Sequence, residues 1–219
     1  QAFIEMKARV ERSIEQRTAM LAGVSHDLRT ILTRFKLELA LIGEGPEIDA
    51  MRKDVDEMSM MLEDYLAFAR GDSGEVAQPT DMAMALEELR SDAERHGHTA
   101  TVAFHGLPVV TVKPASFKRC LANLVSNAAR HANTISITGQ RDHRYLNITI
   151  DDDGPGIPAD MREEVFKPFL RLDDARNQDE GGSGLGLAIA RDIARSHGGD
   201  ILLSESPMGG LRAAVRVPV

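Results

Sequence analysis

A single cysteine, Cys120, occurs in the 219 residues, so no intramolecular disulfide can form and no cysteine-based metal site can be assembled. A reducing compartment fits this best. No apolar run reaches the roughly 18 to 20 residues needed to cross a bilayer, and the N-terminus lacks the apolar core of a signal peptide. Positive charge is also scarce. Against 34 Asp and Glu there are 26 Lys and Arg, a formal net charge of -8, which repels nucleic acid and anionic membrane surfaces alike. Nucleic acid is therefore not expected as a partner, although a local basic pocket stays open.

Hydrophobic residues at 42% and charged residues at 27% supply a core and give no sign of global disorder. The length favours two domains of unequal size. Gln1 opens a stretch, residues 1–18, in which Phe3, Met6, Val10 and Ile14 already keep helical spacing. We read it as an incoming linker helix, and the chain as a fragment of a longer polypeptide whose remainder can carry membrane spans.

From Leu21 the apolar positions run Leu21, Val24, Leu28, Ile31, Phe35, Leu39 and Ile42, with no Pro or Gly between Val24 and Ile42. Steps of three and four residues predict one amphipathic helix with a nearly heptad seam. Gly43-Glu44-Gly45-Pro46 stops it. A second seam follows at Ile48, Met51, Val55, Met58, Leu62, Tyr65 and Ala69. Two such helices make an antiparallel hairpin whose apolar stripe is too wide to be stable alone, so pairing into a dimeric four-helix bundle is expected. Met51, Met58, Met60 and Met61 read as bundle packing.

Gly71-Asp72-Ser73-Gly74 opens a polar stretch to Pro79 that reads as an interdomain linker. Beyond it, Asp81 is placed to cap a helix over about 82–96 and Pro114 to open one reaching about His131. Residues 100–105 and 109–112 read as short strands. Alternation over 134–138 and 145–151 predicts a hairpin with one buried face. A helix over 185–197 and strands at 201–204 and 211–217 complete a two-layer α/β sandwich with a mixed sheet. The two domains are placed at 19–72 and 78–219.

Four constellations carry chemistry. Placing Leu21 and Leu28 at heptad position a puts His26 at f, facing solvent, with Asp27 beside it and Thr30 one turn on. A neutral exposed imidazole is a competent nucleophile, and a nearby carboxylate can orient it or take its proton. Asp152-Asp153-Gly154-Pro155-Gly156 follows a predicted strand; its glycines permit close backbone approach, and Asp152 can accept a hydrogen bond from an exocyclic amine such as that of adenine. Gly181-Gly182-Ser183-Gly184-Leu185-Gly186-Leu187 runs into a helix, where successive N–H groups can cradle phosphates. Asn123, Asn127 and Arg130 share one face of a helix, the asparagines as oxygen donors to Mg²⁺ and the arginine toward phosphate. Each has a bland counterpart when taken alone: a solvated histidine, an ordinary turn, a flexible linker, surface asparagines. Cys120 reads as a packed residue, and His96 with His98 as a solvated turn.

Together these segments resemble the sensor histidine kinases of two-component signalling. Ser25 to Thr30 resembles the H box, Asn123 to Asn127 the N box, Asp152 to Gly156 the G1 box, Phe166-Lys167-Pro168-Phe169 the F box and Gly182 to Leu187 the G2 box. Leu32-Thr33-Arg34 after the H box looks most like the EnvZ-type osmosensor branch, and residues before Ala19 are similar to the exit of a HAMP relay. The resemblance implies a Bergerat-type (GHKL) ATP-binding domain behind a dimerisation and phosphotransfer domain, in the cytoplasmic part of an inner-membrane sensor. It implies that His26 is the phosphoacceptor, Asp27 its acid/base partner and Thr30 the residue that positions water in a phosphatase reaction. It further implies that Asn127, supported by Asn123, holds Mg²⁺, and that Arg130 and Arg171 meet phosphates. The same resemblance implies that Asp152 reads adenine, with Gly154, Gly156, Phe169, Gly182, Gly184, Leu185, Gly186 and Leu187 shaping the ATP/ADP site. It also implies a lid over residues from about Lys167 to Gly182, and as partners a second copy and a response regulator receiver domain.

One departure stands out: the family usually has Pro after the H-box threonine, and here the residue is Ile31. A helical proline costs roughly 3 kcal/mol and a kink, so the first bundle helix should be straighter here. Two rivals remain at this stage, an ATP-gated machine of the same nucleotide-binding superfamily and a docking module with a degenerate site. The seamed hairpin bearing the H box argues against the first, and the intact Asp152, Asn127 and glycines against the second.

Overall fold

The computed structural model describes residues 27–70, 75–170 and 184–219. His26, Arg171, Gly182, residues 1–18 and most of the expected lid lie outside them. The chain divides into two compact units, the helical one ending at Gly71.

In the helical unit, α1 runs unbroken over 27–42 and α2 spans Pro46–Arg70. Helix α1 continues unbroken through Ile31, which has the backbone N–H that a proline would lack. Gly43, at φ 113°, turns the chain where L-residues are strained. Arg52 then fastens the pair: its guanidinium donates to the carbonyls of Leu39 at 3.3 Å and Gly43 at 3.0 Å, satisfying acceptors that the end of α1 leaves open. Lys36 and Asp56 add an ion pair at 2.7 Å.

The interior of this hairpin differs in detail from the predicted seam. Leu32, Leu39 and Leu66 are buried, whereas Leu28, Ile31 and Phe35 stay 42%, 38% and 47% exposed. A single antiparallel pair closes over one flank of the stripe and leaves its centre uncovered.

In the second unit, a five-stranded sheet has the order β2-β4-β5-β7-β6, from Thr99–His105, Thr134–Arg141, Tyr145–Asp152, Leu211–Pro218 and Asp200–Glu205 respectively. Only β2 with β4 is parallel. Helices α3 (Met82–Arg95), α4 (Pro114–His131) and α5 (Gly186–Ser196) pack against it, which makes the predicted two layers. Alternation works as expected in the central hairpin, where Ile137 opposes Ile150 and Ile135, Ile148 and Leu146 are fully buried. Each such side chain contributes roughly 1.5 to 3 kcal/mol. Gly139 is required by space: a Cβ there would lie 2.4 Å from Phe104 Cδ2 and 2.9 Å from Leu86 Cδ1.

Asp81 caps α3 by accepting the Met84 N–H at 3.0 Å. The end of the predicted linker is part of this unit. Gln78–Asp81 forms β1, antiparallel to β3 (Val109–Val112), and Pro79 is tolerated because β1 has a single strand partner. Just before it, Glu75 accepts the Ala115 and Ser116 N–H groups at 2.7 and 2.9 Å, capping α4, whose own N-cap residue Lys113 offers no side-chain cap.

Helices α4 and α5 meet through small and flat groups. Cys120 Sγ donates to Ala190 O at 3.3 Å, and the Phe117 and His197 rings are 5.2 Å apart. The His197 tautomer that donates Nδ1–H to Ile193 O at 2.8 Å leaves Nε2 to accept from Lys113 N at 3.2 Å.

Candidate active site

Asn123 and Asn127 are half-buried on α4 beside its core face of Phe117, Leu121, Leu124 and Ala128, and Arg130 is exposed one turn on. Asn123 Nδ2 is buried with no partner among the described residues. A buried amide N–H without an acceptor is costly, and a ligand oxygen supplies one. No cluster of three His, Cys, Asp or Glu suited to a metal occurs among the described residues. A cation here would thus rely on neutral amide oxygens together with phosphates and waters, which is the donor set Mg²⁺ accepts.

The loop after β5 packs on the end of this helix. A Cβ on Gly154 would come within 2.8 Å of His131 O, so glycine lets the two backbones touch. Asp152 and Asp153, adjacent and chemically identical, do different things. Asp153 Oδ1 accepts the Asn133 and Thr134 N–H groups, both at 2.9 Å, and the Thr134 backbone N–H in particular holds its carboxyl below the ordinary range. Asp152 is buried, and its Oδ1 accepts the N–H groups of Gly154 and Leu211 at 2.9 and 3.0 Å. Gly156, at φ 71°, carries the loop past Gly210 O.

The F-box residues and the start of α5 are also joined. Phe169 N–H donates to Gly184 O at 3.0 Å, and both residues lie at positive φ, 66° and 65°. For phenylalanine this is a strained conformation of the kind that concentrates at functional sites. Arg191 of α5 lies 4.2 Å over the Phe166 ring while it pairs with Glu163 at 2.7 Å and Asp200 at 2.8 Å. Leu185 is buried at the N-cap of α5 and Gly186 begins it. With no side-chain cap and no acidic residue in its first turn, this helix start suits an anionic phosphate.

In the helical unit, Asp27 and Thr30 are exposed on α1, directly after His26. The structure therefore brings the G1 loop against the C-terminal end of α4, the helix that carries both asparagines, and joins Phe169 to Gly184 before α5. Sequence reasoning missed Leu211, Gly210, Asp153 and Arg191. Their roles depend on contacts between distant segments, and only the Gly209-Gly210 pair left a visible trace.

This pairing of a helical hairpin with a helix-backed mixed sheet carrying N, G1, F and G2 segments defines the catalytic core of a phosphoacceptor kinase. Residues 112–219 match the family described as histidine kinase-, DNA gyrase B-, and HSP90-like ATPase, and residues 16–74 the His Kinase A (phospho-acceptor) domain. The chain is 33% identical to the sensor histidine kinase CpxA of Escherichia coli (strain K12) over 230 aligned positions, covering 100% of this chain and 50% of CpxA. It is 32% identical to the sensor histidine kinase GtrS of Pseudomonas aeruginosa, over 99% of this chain and 45% of GtrS. The NMR structure of the histidine kinase domain of the E. coli osmosensor EnvZ is similar with a TM-score of 0.52 and 33% identity, covering 68% of this chain and 92% of that domain. Full-length ShkA in complex with AMPPNP shares the fold, with a TM-score of 0.76 and 23% identity over 92% of this chain and 46% of ShkA. The chain belongs to the sensor histidine kinases. It spans about half the length of the curated relatives it matches.

Proposed function

We propose that the chain is the cytoplasmic core of a membrane-anchored sensor, an ATP-dependent autokinase that phosphorylates His26 and passes the phosphoryl group to an aspartate of a response regulator. The observation that carries this reading is the Asn123 amide N–H, buried without a partner among the described residues on the same helix face as Asn127, on a helix whose end meets the loop of the buried carboxylate Asp152. Residues 19–72 are then the phosphotransfer and dimerisation domain and 78–219 the catalytic domain. The apolar centre of the hairpin, Leu28, Ile31 and Phe35, supports pairing with a second copy.

In this reading Asp152 accepts the adenine amine, and the α5 start with Gly184, Leu185, Gly186 and Leu187 receives phosphate oxygens. Arg130 and Arg171 add positive charge, and Gly182 lies in the lid that excludes water. Asn127, with Asn123, would hold Mg²⁺, which neutralises charge building on the transferred group. A ring nitrogen of His26 attacks the γ-phosphorus. As the N–P bond forms, the bond to the ADP oxygen breaks, and Asp27 takes the imidazole proton. Thr30 serves the reverse task, orienting water when the enzyme dephosphorylates its regulator.

Incubation with γ-labelled ATP and Mg²⁺ tests this directly. Wild type is expected to acquire acid-labile label and His26→Gln none; label that persists in the variant, or steady ATP hydrolysis with no labelled protein, refutes it.

A further inference from the structure

The turn joining β6 to β7 lies against Asp152 and is itself closely tied. Gly210 N–H donates to Asp152 O at 3.2 Å, Ser206 N–H to Gly210 O at 2.9 Å, and Gly209 N–H to Ser206 O at 3.0 Å. The buried Ser206 adds its Oγ as acceptor for the Met208 N–H at 3.1 Å. Immediately after the turn, the Leu211 N–H reaches Asp152 Oδ1 across 59 residues of sequence.

Space is the decisive quantity. A Cβ at Gly210 would stand 2.2 Å from Asp152 Oδ1, 2.5 Å from Gly154 N and 2.6 Å from Asp152 O. Gly210 is not among the residues at positive φ, so backbone torsion does not demand glycine there. The approach of the carboxylate does. Both hydrogen bonds to the Asp152 side chain fall on Oδ1, which anchors the carboxylate by that oxygen and leaves Oδ2 for a ligand. At the adjoining position Arg212 grips Asp151 with two hydrogen bonds at 2.7 and 2.8 Å, locking β7 to β5 at this level.

We infer that the β6–β7 turn, acting through Gly210 and the Leu211 N–H, is the positioning element that aims Asp152 and so sets a preference for 6-amino purines. The inference rests on the reading of Asp152 as the adenine contact. A 6-amino group donates to Oδ2; a purine without a 6-substituent offers no donor, and a 6-oxo purine opposes oxygen to oxygen. Because hydrogen bonds weaken steeply with distance and angle, displacing the carboxylate by the width of a methyl group removes the discrimination while leaving phosphate binding in place.

The test measures binding of ATP, GTP and purine riboside triphosphate to the whole chain by displacement of a fluorescent nucleotide. It compares wild type with Asp152→Asn, Gly210→Ala, Ser206→Ala and, as a control on the exposed face of β6, Leu202→Ala. Wild type and Leu202→Ala are expected to favour ATP over the other two. Gly210→Ala should weaken ATP about tenfold and barely change purine riboside triphosphate, so that the ratio collapses. Ser206→Ala, which loosens the turn without the clash, should move the ratio about threefold in the same direction. A folded Gly210→Ala that keeps its ATP preference overturns the inference; if that variant does not fold, an unchanged ratio in Ser206→Ala does so. Should wild type bind no nucleotide, or Asp152→Asn keep the wild-type ratio, the reading of Asp152 itself fails and the inference with it.

Discussion

Arg212→Gln is expected to destabilise the α/β unit by about 2 to 3 kcal/mol. The pair it breaks joins residues that face each other across β5 and β7, with Nε on Oδ1 and Nη2 on Oδ2. Asp151 is the inner partner, its side chain 8% exposed against 36% for Arg212. Stranding a buried charge costs about 3 to 5 kcal/mol, and the partial exposure of the arginine lets water reach the vacated site, which brings the figure down. Asp151→Asn is milder, about 1 kcal/mol, because the arginine left behind can turn to solvent. In the double variant two neutral amides can hydrogen-bond to each other, so its cost should fall below the sum of the singles by about 1 kcal/mol or more. Urea denaturation followed by circular dichroism reads this out. With a slope near 2 kcal/mol per molar, Arg212→Gln should lower the midpoint of the α/β transition by about 1 M. A shift under about 0.3 M, or a double variant that merely adds the singles, would show that the fork contributes little and that β-ladder pairing alone holds this level of the sheet.

Cys120 should resist alkylation in the folded protein, since burial pushes its thiol up to about 12 and Sγ donates to Ala190 O. Iodoacetamide labelling at pH 8 should proceed only in step with urea-induced unfolding, and rapid labelling of the native chain would contradict the packing described. The same group predicts stability that is complete below pH 9 and is lost as pH rises toward 12. Asp200 has the opposite sign. Burial works to raise its pKa, but hydrogen bonds from Arg191, Arg195 and the Ile201 N–H prevail and hold it at about 2, below the ordinary 3.8. Its contribution, about 1 kcal/mol after allowing for screening of a half-exposed carboxylate, is present above pH 4 and lost as pH falls toward 2. Thermal midpoints measured from pH 2 to 6 should therefore fall less steeply at the acid end for Asp200→Asn than for wild type, and coincident profiles would dismiss the network as a source of stability.

What could be read in advance divides along a physical line. Elements with a local signal announced themselves: α4 through Pro114 at its first turn, and the β4–β5 hairpin through the alternation that sets Ile137 opposite Ile150. Gln78–Asp81 has no such signal, and it becomes a strand only because β3 is there to pair with it. The helical seam was legible as a stripe, but its centre stays open: of the buried Leu32, Leu39 and Leu66, Leu39 lies on the predicted seam and the other two stand one position beside it.

The site shows the same limit at finer scale. Gly156 was identifiable because a sharp turn favours glycine and Gly184 because it stands in a glycine-rich run before a helix, and both adopt positive φ. Gly210 has no torsional signature, since it is glycine on account of a carboxylate 58 positions earlier in the chain. Asp152 and Asp153 make the point most sharply. At the end of a strand successive side chains leave opposite faces, so one carboxylate turns into the interior, where Leu211 holds it, and the next turns out to tie down Asn133 and Thr134. Nothing in the dipeptide distinguishes them; the pleat assigns the roles, and a one-residue slip of β5 would exchange them. The long antiparallel ladder with β7, anchored by Arg212 on Asp151, is therefore part of what turns Asp152 rather than its neighbour toward the Leu211 N–H.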